Sequence, residues 1–339
     1  MKAVVKGFPK PGIEVREVLP PSVEPGWALI RMRACGICGS DVHIYEWTPG
    51  YEFMAPYMPV VLGHEFSGVV EEVGEGQTDL EAGDRVFAGP SQIYIPGQSR
   101  GYPKFEGYSY GPIAPGGMAE YVLVPVDRLW RLPDGLSFEV GATIEPLQVA
   151  MQAVSTSEIL PGQRAVVLGP GPIGLLTLLS LKAAGVSVYV TGKATDGNRL
   201  KLAMGLGAEA TINVDEKDPV SEVERLTGGA GVDVVFEATG VPTTIQQGLD
   251  MVKRRGKVVA IGIHPGPASI NMLDLVRSAK QILGSYSGSN SLWVRVLELL
   301  SGGVIDLEPL VSHRLPLSEA ERGFELCVRK ECMKVLFVS

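Results

Sequence analysis

Short apolar stretches separated by turn residues fill the first 145 or so positions of the chain. Examples are WALIRMRACG (27–36), FSGVVEEVG (66–74), DRVFAG (84–89) and AEYVLVP (119–125), each bounded by glycine, proline or polar residues. Runs of this length with such boundaries are typical of strands in an antiparallel sheet. We therefore predict a barrel-like β domain over this part of the chain.

From about residue 148 the pattern changes to buried strands that alternate with helices. The apolar run RAVVLG (164–169) is followed by PIGLLTLLSLKAAG (172–185), a helical stretch that closes with a glycine. Further strands with helical spacers between them are predicted at VSVYVTG, ATIN, VDVVFEATG, KVVAIGI and QILGSYSG. Strands alternating with helices favour a parallel, doubly wound sheet that is covered on both faces.

The tail from about residue 290 contains two more helices and two strand-like pieces, LVSHRLP and KVLFVS. We expect these pieces to return to the first domain. The predicted fold is therefore α/β, with a β domain over 1–147 that 288–339 completes, and a doubly wound domain over 148–287.

Net charge, the lengths of apolar runs and the cysteine count exclude several classes of protein. The 339 residues carry a net charge of −8, which argues against a broad nucleic-acid or anionic-membrane surface, since both need clustered Lys and Arg. No apolar run approaches the ~18 residues of a membrane span, and the amino terminus lacks the apolar segment of a signal peptide. Four cysteines do not make a disulfide framework. We expect a cytoplasmic enzyme with a small-molecule substrate and no membrane or nucleic-acid partner.

A glycine-rich loop joins the first strand and helix of the second domain. Gly169, Gly171 and Gly174 form G-x-G-x-x-G, followed in the helix by apolar residues. The first glycine permits a tight turn, the second lets backbone N–H groups approach a pyrophosphate, and the third lets the helix pack on the strand. We expect this loop, with Pro172 and Ile173, to bind a dinucleotide. The alternative is an ordinary turn that uses glycine for its geometry alone.

Candidate metal ligands are scattered through the first domain. Cys35 and Cys38 form C-x-x-C without a second pair, which fits a redox pair, an incomplete structural metal site, or one ligand of a catalytic metal. His64 and Glu65 stand side by side between two strands, and Glu145 lies at the predicted join of the domains. A catalytic zinc needs about three such ligands and an open position. Spacing alone does not show that these residues meet.

Five motifs in order resemble the zinc-dependent medium-chain dehydrogenases over essentially the whole chain. They are CGICGSDVH (35–43), GHEFSG (63–68), GDRV (83–86), IEPL (144–147) and GPGPIG (169–174). The chain is most similar to the polyol branch, with the sorbitol and butanediol dehydrogenases, and to the L-threonine 3-dehydrogenases, which DVHIYEW especially resembles. The resemblance implies a GroES-like β domain, a Rossmann domain and a homo-oligomer, either a dimer or a tetramer.

The resemblance also implies a ligand set for one catalytic zinc per chain. Cys38 and His64 carry over as ligands, and Cys35 becomes a buried residue of its strand. Glu65 and Glu145 share the remaining role: one completes the shell while the other lies beside the zinc or its water.

The implied reaction is the NAD(P)-dependent oxidation of a secondary alcohol, a polyol or diol. Zinc would lower the pKa of the substrate hydroxyl, and a hydride would pass to the nicotinamide. Ser40 and His43 occupy the family's proton-relay positions, where an imidazole titrates in the useful range. The alternative is a capping serine and a structural histidine.

The sequence departs from this family in two places. Residues 87–117, where many relatives carry four cysteines for a structural zinc, contain no cysteine or histidine, so we expect no structural zinc. Gly288 and Ser289 stand where sorbitol dehydrogenases present an Arg-Tyr pair, and the Arg and His of the threonine enzymes are also absent. Both specific substrates, sorbitol and threonine, are therefore less favoured. The alternatives to a polyol or diol dehydrogenase are an enzyme that oxidises an amino alcohol like threonine, and a zinc-free quinone-reductase-like or non-catalytic cofactor binder.

The end of the second Rossmann strand bears on the choice of dinucleotide. NAD-selective enzymes place an acid there to bind the ribose 2′-OH, whereas this chain has Gly192 followed by Lys193. A small residue beside Lys193 and Arg199 would leave space for a 2′-phosphate and supply donors. We expect NADP to be preferred over NAD. The alternative is that Asp196 folds back to reach the ribose.

Two further features receive simple interpretations. His264 follows the strand KVVAIGI in a loop that could border the nicotinamide. Cys327 and Cys332 are five residues apart and so lie off a common helix face, and we expect no metal there.

Overall fold

The structure is a computed structural model that describes residues 1–76, 79–89 and 116–339. Its strands are β1 (Lys2–Lys6), β2 (Glu14–Glu17), β3 (Trp27–Gly36), β4 (Val60–Val61), β5 (Glu65–Val73), β6 (Arg85–Ala88), β7 (Tyr121–Pro125), β8 (Leu129–Arg131), β9 (Arg164–Leu168), β10 (Ser187–Gly192), β11 (Ala210–Asn213), β12 (Val232–Glu237), β13 (Val252–Ala260), β14 (Gln281–Gly284), β15 (Val311–Leu315) and β16 (Lys334–Val338). Its α-helices are α1 (Gly39–Glu46), α2 (Phe138–Gly141), α3 (Ile144–Ser157), α4 (Pro172–Ala183), α5 (Gly197–Gly205), α6 (Pro219–Thr227), α7 (Pro242–Met251), α8 (Met272–Arg277), α9 (Trp293–Ser301) and α10 (Ala320–Val328).

The first compact unit comprises Met1–Glu145 and Leu307–Ser339. Its larger sheet has the order β15-β16-β3-β5-β6-β8, with β7 also paired to β3, and β2-β1-β4 form a smaller sheet. All of these pairs are antiparallel except β15 with β16. Strand β16 pairs with β3, so these carboxyl-terminal strands lie in the first unit. The long strand β3 is central because alternate side chains such as Ile30 and Met32 pack into the core.

The second unit, Pro146–Asp306, contains the predicted parallel sheet. Its strand order is β11-β10-β9-β12-β13-β14, and every pair is parallel. Numbered within the unit this is 3-2-1-4-5-6, the doubly wound Rossmann order. The central strands are fully buried at Val166, Val235 and Val258, as expected for a sheet that is covered on both faces.

The unit boundary near the carboxyl terminus differs from the sequence prediction. The chain returns to the first unit at Leu307 rather than at residue 288, so α9 remains with the Rossmann sheet. Ser289 is tied to α3, because its carbonyl accepts a hydrogen bond from Gln148 Nε2 at 2.5 Å and its N–H donates to Gln152 Oε1 at 3.2 Å. The apolar side of α9, including Trp293, is buried.

Most of the cysteine-free lobe of residues 87–117 lies outside the described residues. Within the part of the chain that the structure describes, no helix combines the length and apolar character that crossing a membrane would require.

Candidate functional site

Cys38 is placed by the junction of β3 and α1. Strand β3 ends at Gly36, and Cys38 is the N-cap residue of α1, with extended backbone angles. Its N–H donates to Oδ2 of Asp41 at 3.0 Å, which satisfies one of the free donors at the helix start. Asp41 thus fixes the backbone that carries the thiol.

His64 and Glu65 are placed beside Cys38 by the register of β3 and β5. The antiparallel pairing puts Gly36 opposite Glu65, the first residue of β5. The preceding turn needs Gly63, which has φ of 99°, and a Cβ at that position would lie 2.7 Å from the backbone nitrogen of Met118. A glycine therefore lets the chain deliver His64 to this position.

The ligand atoms of Cys38, His64 and Glu65 all lie within 4.8 Å of one another. Zinc bonds of ~2.0–2.3 Å place tetrahedral ligand atoms about 3.3–3.8 Å apart, so small side-chain movements would close the set. Thiolate, imidazole and carboxylate donors together favour zinc among common metals. Among the described residues no other group of three such donors is found. The residues present therefore fit one zinc ion.

Cys35 does not take part in this cluster. It is fully buried in β3, opposite Phe66 of β5. Burial raises the pKa of its thiol well above the ordinary value, and the nearby carboxylates of Asp41 and Glu65 raise it further. A thiol that stays protonated is a poor nucleophile and a poor metal ligand, which argues against the redox interpretation of C-x-x-C.

A buried carboxylate lies behind His64. Asp41 is fully buried, and its Oδ1 is 3.7 Å from Nδ1 of His64, a distance too long for a hydrogen bond. Burial by itself lowers the pKa of His64, but the charges of Asp41 and Cys38 outweigh it and raise that pKa well above the ordinary value. Asp41 therefore acts on His64 through its charge and not through a hydrogen bond.

Glu65 is paired with a lysine from the far end of the chain. Nζ of Lys334, the first residue of β16, contacts Oε2 of Glu65 and donates to the carbonyl of Ile37 at 3.0 Å. Both side chains of the pair are buried. A Cβ on Gly36 would collide with both, so glycine at the end of β3 makes room for this ion pair.

Glu145 lies near the cluster but outside the set of three. It occupies the first turn of α3 and is half-buried. Burial raises its pKa to about 7, His64 opposes the rise, and Glu65 adds to it. Glu65 thus belongs to the set of three possible ligands. Glu145 lies outside this set, and its charge helps to raise the pKa of His64.

Ser40 and His43 share α1 with the start of the cluster. His43 Nδ1 is 3.1 Å from Oγ1 of Thr48, and its ring stacks on Tyr51 with centroids 5.4 Å apart. Both Ser40 and His43 are half-buried. The imidazole is therefore held in one orientation while it keeps contact with solvent.

The glycine loop has the geometry that its three glycines predict. Gly169 has φ of 98°, which permits the turn after β9. A Cβ on Gly174 would collide with the carbonyl of Gly169, so only glycine allows α4 to pack this close. No atom lies within 4 Å of a Cβ built on Gly171, the N-cap residue of α4, which leaves open space where a phosphate would approach. Pro172 and Ile173 open the helix, and the loop fits a dinucleotide.

The end of β10 differs from the expectation in one respect. A Cβ on Gly192 would lie 2.8 Å from Cγ of Pro170, so this glycine is required by packing and does not leave an open space beside it. Lys193 is exposed, and its N–H donates to Oδ2 of Asp196 at 3.1 Å. Asp196 also lies 3.6 Å from Nη1 of Arg199. This carboxylate is therefore engaged by protein donors.

Sequence reasoning missed Asp41 and Lys334. Asp41 stands within the motif CGICGSDVH, and its position at the start of a helix was the available signal. Lys334 is a single cation beginning the apolar strand KVLFVS, and a charge in that setting signals a buried partner. Thr48 and Tyr51 carried no such signal.

Two family models match the chain. The alcohol dehydrogenase GroES-like domain matches residues 24–134, and the zinc-binding dehydrogenase domain matches residues 172–302. L-threonine 3-dehydrogenase of Bacillus velezensis is 35% identical over 100% of this chain and 99% of its own length. The chain belongs to the zinc-dependent medium-chain alcohol dehydrogenase family.

Solved structures agree with this assignment. The 2R,3R-butanediol dehydrogenase of Bacillus subtilis superposes with a TM-score of 0.87 and 34% identity, covering 100% of this chain and 99% of that one. A zinc-binding dehydrogenase of Sinorhizobium meliloti bound to NADP superposes with a TM-score of 0.86 and 31% identity, with the same coverage. The chain is therefore an NAD(P)-dependent oxidoreductase of alcohols, with a GroES-like catalytic domain and a Rossmann domain.

Proposed function

We propose that this enzyme oxidises a small uncharged secondary alcohol, a vicinal diol or short polyol, at one zinc ion. The observation that carries the proposal is the set of Cys38, His64 and Glu65, whose ligand atoms lie within 4.8 Å of one another. When bound, zinc supplies a Lewis acid for the substrate hydroxyl, and the nicotinamide ring supplies the hydride acceptor.

The chain's own residues hold and orient this centre. Cys38, His64 and Glu65 would bind the zinc, and the charge of Asp41 lies 3.7 Å from Nδ1 of His64. The Lys334 ammonium balances the charge of Glu65 in a buried place where an unpaired carboxylate would be costly. The second carboxylate, Glu145, is then available beside the zinc or its water.

Ser40 and His43 carry the proton of the substrate hydroxyl away from the site. The contacts of Nδ1 with Thr48 and of the ring with Tyr51 support this role, because they hold the imidazole of His43 in one orientation, from which it would accept a proton and release it to solvent.

A diol or polyol is favoured over threonine because no cation stands in the segment GSYSGSNSLW (284–293). Threonine carries a carboxylate, and an arginine or lysine is the usual partner for one. Gly288 also has no room for a longer side chain, because its Cβ position is filled by the amide of Gln148. The 35% identity to an L-threonine 3-dehydrogenase makes threonine oxidation the second candidate.

NADP is the preferred dinucleotide in this proposal. Lys193 is exposed directly after β10, Arg199 lies one turn further along, and no acid stands at the strand end. Asp196 is engaged by the Lys193 N–H and Arg199, and Asp215 accepts the N–H of Ala194 at 2.8 Å. We expect a higher kcat/KM with NADP than with NAD and a reduced preference in Lys193→Ala. The exposed Lys201→Ala on α5 should leave the preference unchanged, and a wild-type preference for NAD would contradict the proposal.

The enzyme in this proposal contains one zinc per chain, no structural zinc, and assembles as a dimer or tetramer. The cysteine- and histidine-free segment 87–117 supports the single zinc. Apolar residues exposed on α8 support self-association.

One experiment tests the function. Protein purified without chelator would be analysed for zinc and then screened with diols, polyols, cyclic alcohols and L-threonine while nicotinamide absorbance is followed. We expect one zinc per chain and the highest kcat/KM with a diol or polyol. Cys38→Ala should lose zinc and activity but keep its fold. Preference for L-threonine would overturn the substrate assignment, two zinc ions per chain would overturn the single site, and full activity without zinc would favour a quinone-reductase-like enzyme.

A further inference from the structure

A buried Glu–His pair stands at the carboxyl edge of the Rossmann sheet. Glu237 is the last residue of β12 and is fully buried. His264 lies in the loop after β13, and its Nε2 is 2.9 Å from Oε2 of Glu237. The imidazole is only 16% exposed.

The surroundings of Glu237 determine which nitrogen of His264 carries the proton. The carboxylate accepts hydrogen bonds from the N–H groups of Thr239 at 2.7 Å and Gly240 at 3.1 Å, and from the Thr244 hydroxyl at 2.9 Å. A carboxylate with this many donors acts as an acceptor only. The proton between the pair therefore belongs to Nε2, and in the tautomer that carries this proton alone Nδ1 is a hydrogen-bond acceptor.

That Nδ1 atom is buried and has no hydrogen-bond partner among the described residues. Buried polar side-chain atoms in folded proteins nearly always have a partner, which is protein, water or ligand. Because none of the described residues supplies a partner, water or a bound molecule would have to supply it.

The segments that flank the pair pack against each other and against the glycine loop. A Cβ on Gly169 would lie 2.8 Å from Cγ2 of Thr239, and a Cβ on Gly240 would lie 2.6 Å from the carbonyl oxygen of Ile263. The loop that carries His264 thus packs on residues 238–240, which pack on the first glycine. In the 3-2-1-4-5-6 order the strands β12 and β13 belong to the second mononucleotide-binding half, opposite the half that begins with the glycine loop.

We propose that Nδ1 of His264 accepts a hydrogen bond from the nicotinamide-ribose half of the bound dinucleotide, and that Glu237 is the positioning residue for this imidazole. The donors in that half are the carboxamide N–H and the ribose hydroxyls. The proposal rests on the use of NAD(P) by this enzyme.

The test compares two conservative variants by cofactor binding. The His264→Gln side chain keeps an N–H donor near Glu237 but lacks an acceptor where Nδ1 lies, whereas the oxygen of His264→Asn takes roughly the Nδ1 position. We expect His264→Gln to weaken NADPH binding roughly 5- to 20-fold, as the loss of one hydrogen bond does. His264→Asn should retain more affinity than His264→Gln. Dissociation constants would be measured by quenching of protein fluorescence, and His313→Gln serves as the control histidine.

Two probes identify the donor. Weaker binding of NADPH but unchanged binding of ADP-ribose, which lacks the nicotinamide, would assign the contact to the carboxamide. Weaker binding of both would assign it to a ribose hydroxyl. Wild-type affinity for NADPH in both variants would overturn the inference and leave Nδ1 to water. Failure of the wild-type protein to bind NADPH or NADH would instead overturn the proposed use of NAD(P).

Discussion

At the scale of single residues, two carboxylates compete for the last protein position on the zinc. Glu65 belongs to the set of three ligand atoms within 4.8 Å, and Glu145 does not. Glu65 also has a buried counter-ion, Lys334. Burial instead raises the pKa of Glu145 to about 7. These surroundings favour Glu65 as the ligand and Glu145 as the neighbour.

We therefore expect Glu65→Ala to lower zinc affinity by more than the ~10–100-fold that is typical of residues beside a metal site. Glu145→Ala should stay within that range and keep one zinc per chain. Competition with a chromophoric chelator measures both affinities. The reverse order would identify Glu145 as the standing ligand.

A second prediction concerns Lys334. Removing its ammonium in Lys334→Met leaves the buried Glu65 carboxylate without a counter-ion, which costs on the order of 3–5 kcal/mol in the free energy of unfolding. Zinc would neutralise the same carboxylate, so the loss should be larger in zinc-free protein than in zinc-loaded protein. Denaturant unfolding of both forms measures this, with the exposed Lys201→Met as control. Equal losses in the two forms would show that Glu65 does not ligate the metal.

At the scale of elements, local pattern predicts most of the fold. The boundaries of β3 and β11 coincide with the predicted segments, because short apolar runs between turn residues define strands without tertiary information. Cys327 and Cys332 show the limit of such reasoning. Their sulfurs are 3.6 Å apart, although residues five apart do not share a helix face. Cys332 lies beyond the end of α10, and the chain reverses at Lys330, which has φ of 58°.

Some residues of the candidate site could likewise be predicted from local sequence, and others could not. Cys38 and His64 stand within short motifs, so sequence alone could nominate them. The contact of Lys334 with Glu65 depends on the pairing of β16 with β3, two strands almost 300 residues apart in the chain. No local pattern encodes that pairing, and the partner of Glu65 therefore emerged only from the fold.

The glycine loop permits a matched test of two glycines with different roles. Gly171→Ala meets no atom within 4 Å, so it should leave the thermal stability nearly unchanged while its methyl group obstructs the pyrophosphate. Gly174→Ala collides with the carbonyl of Gly169 and should lower the unfolding temperature by several degrees. Calorimetry and NADPH titration separate the two effects. A large loss of stability in Gly171→Ala would contradict the assignment of its role.

At the scale of the whole molecule, unit 2 exposes several apolar residues on the elements at one end of its sheet. All residues of this unit are described, and within it β14 pairs with β13 alone, which leaves an open edge strand. Met272, Leu273 and Val276 of α8 and Ile282 of β14 are exposed beside that edge. Open edge strands invite pairing with another chain, and apolar patches mark interaction surfaces.

A twofold dimer through this edge would pair β14 with β14 of a second copy and cover α8, because the same patch then serves both subunits. We expect Val276→Glu, which adds a charge to a side chain that is 70% exposed, to shift the protein toward monomer. The net charge of −8 makes an added acid still less favourable in such an interface. Sedimentation velocity of wild type and variant measures the shift. The control is Val304→Glu, at a valine after α9 that is 58% exposed. A monomeric wild-type protein would refute self-association, and equal effects of both substitutions would remove β14 and α8 from the interface.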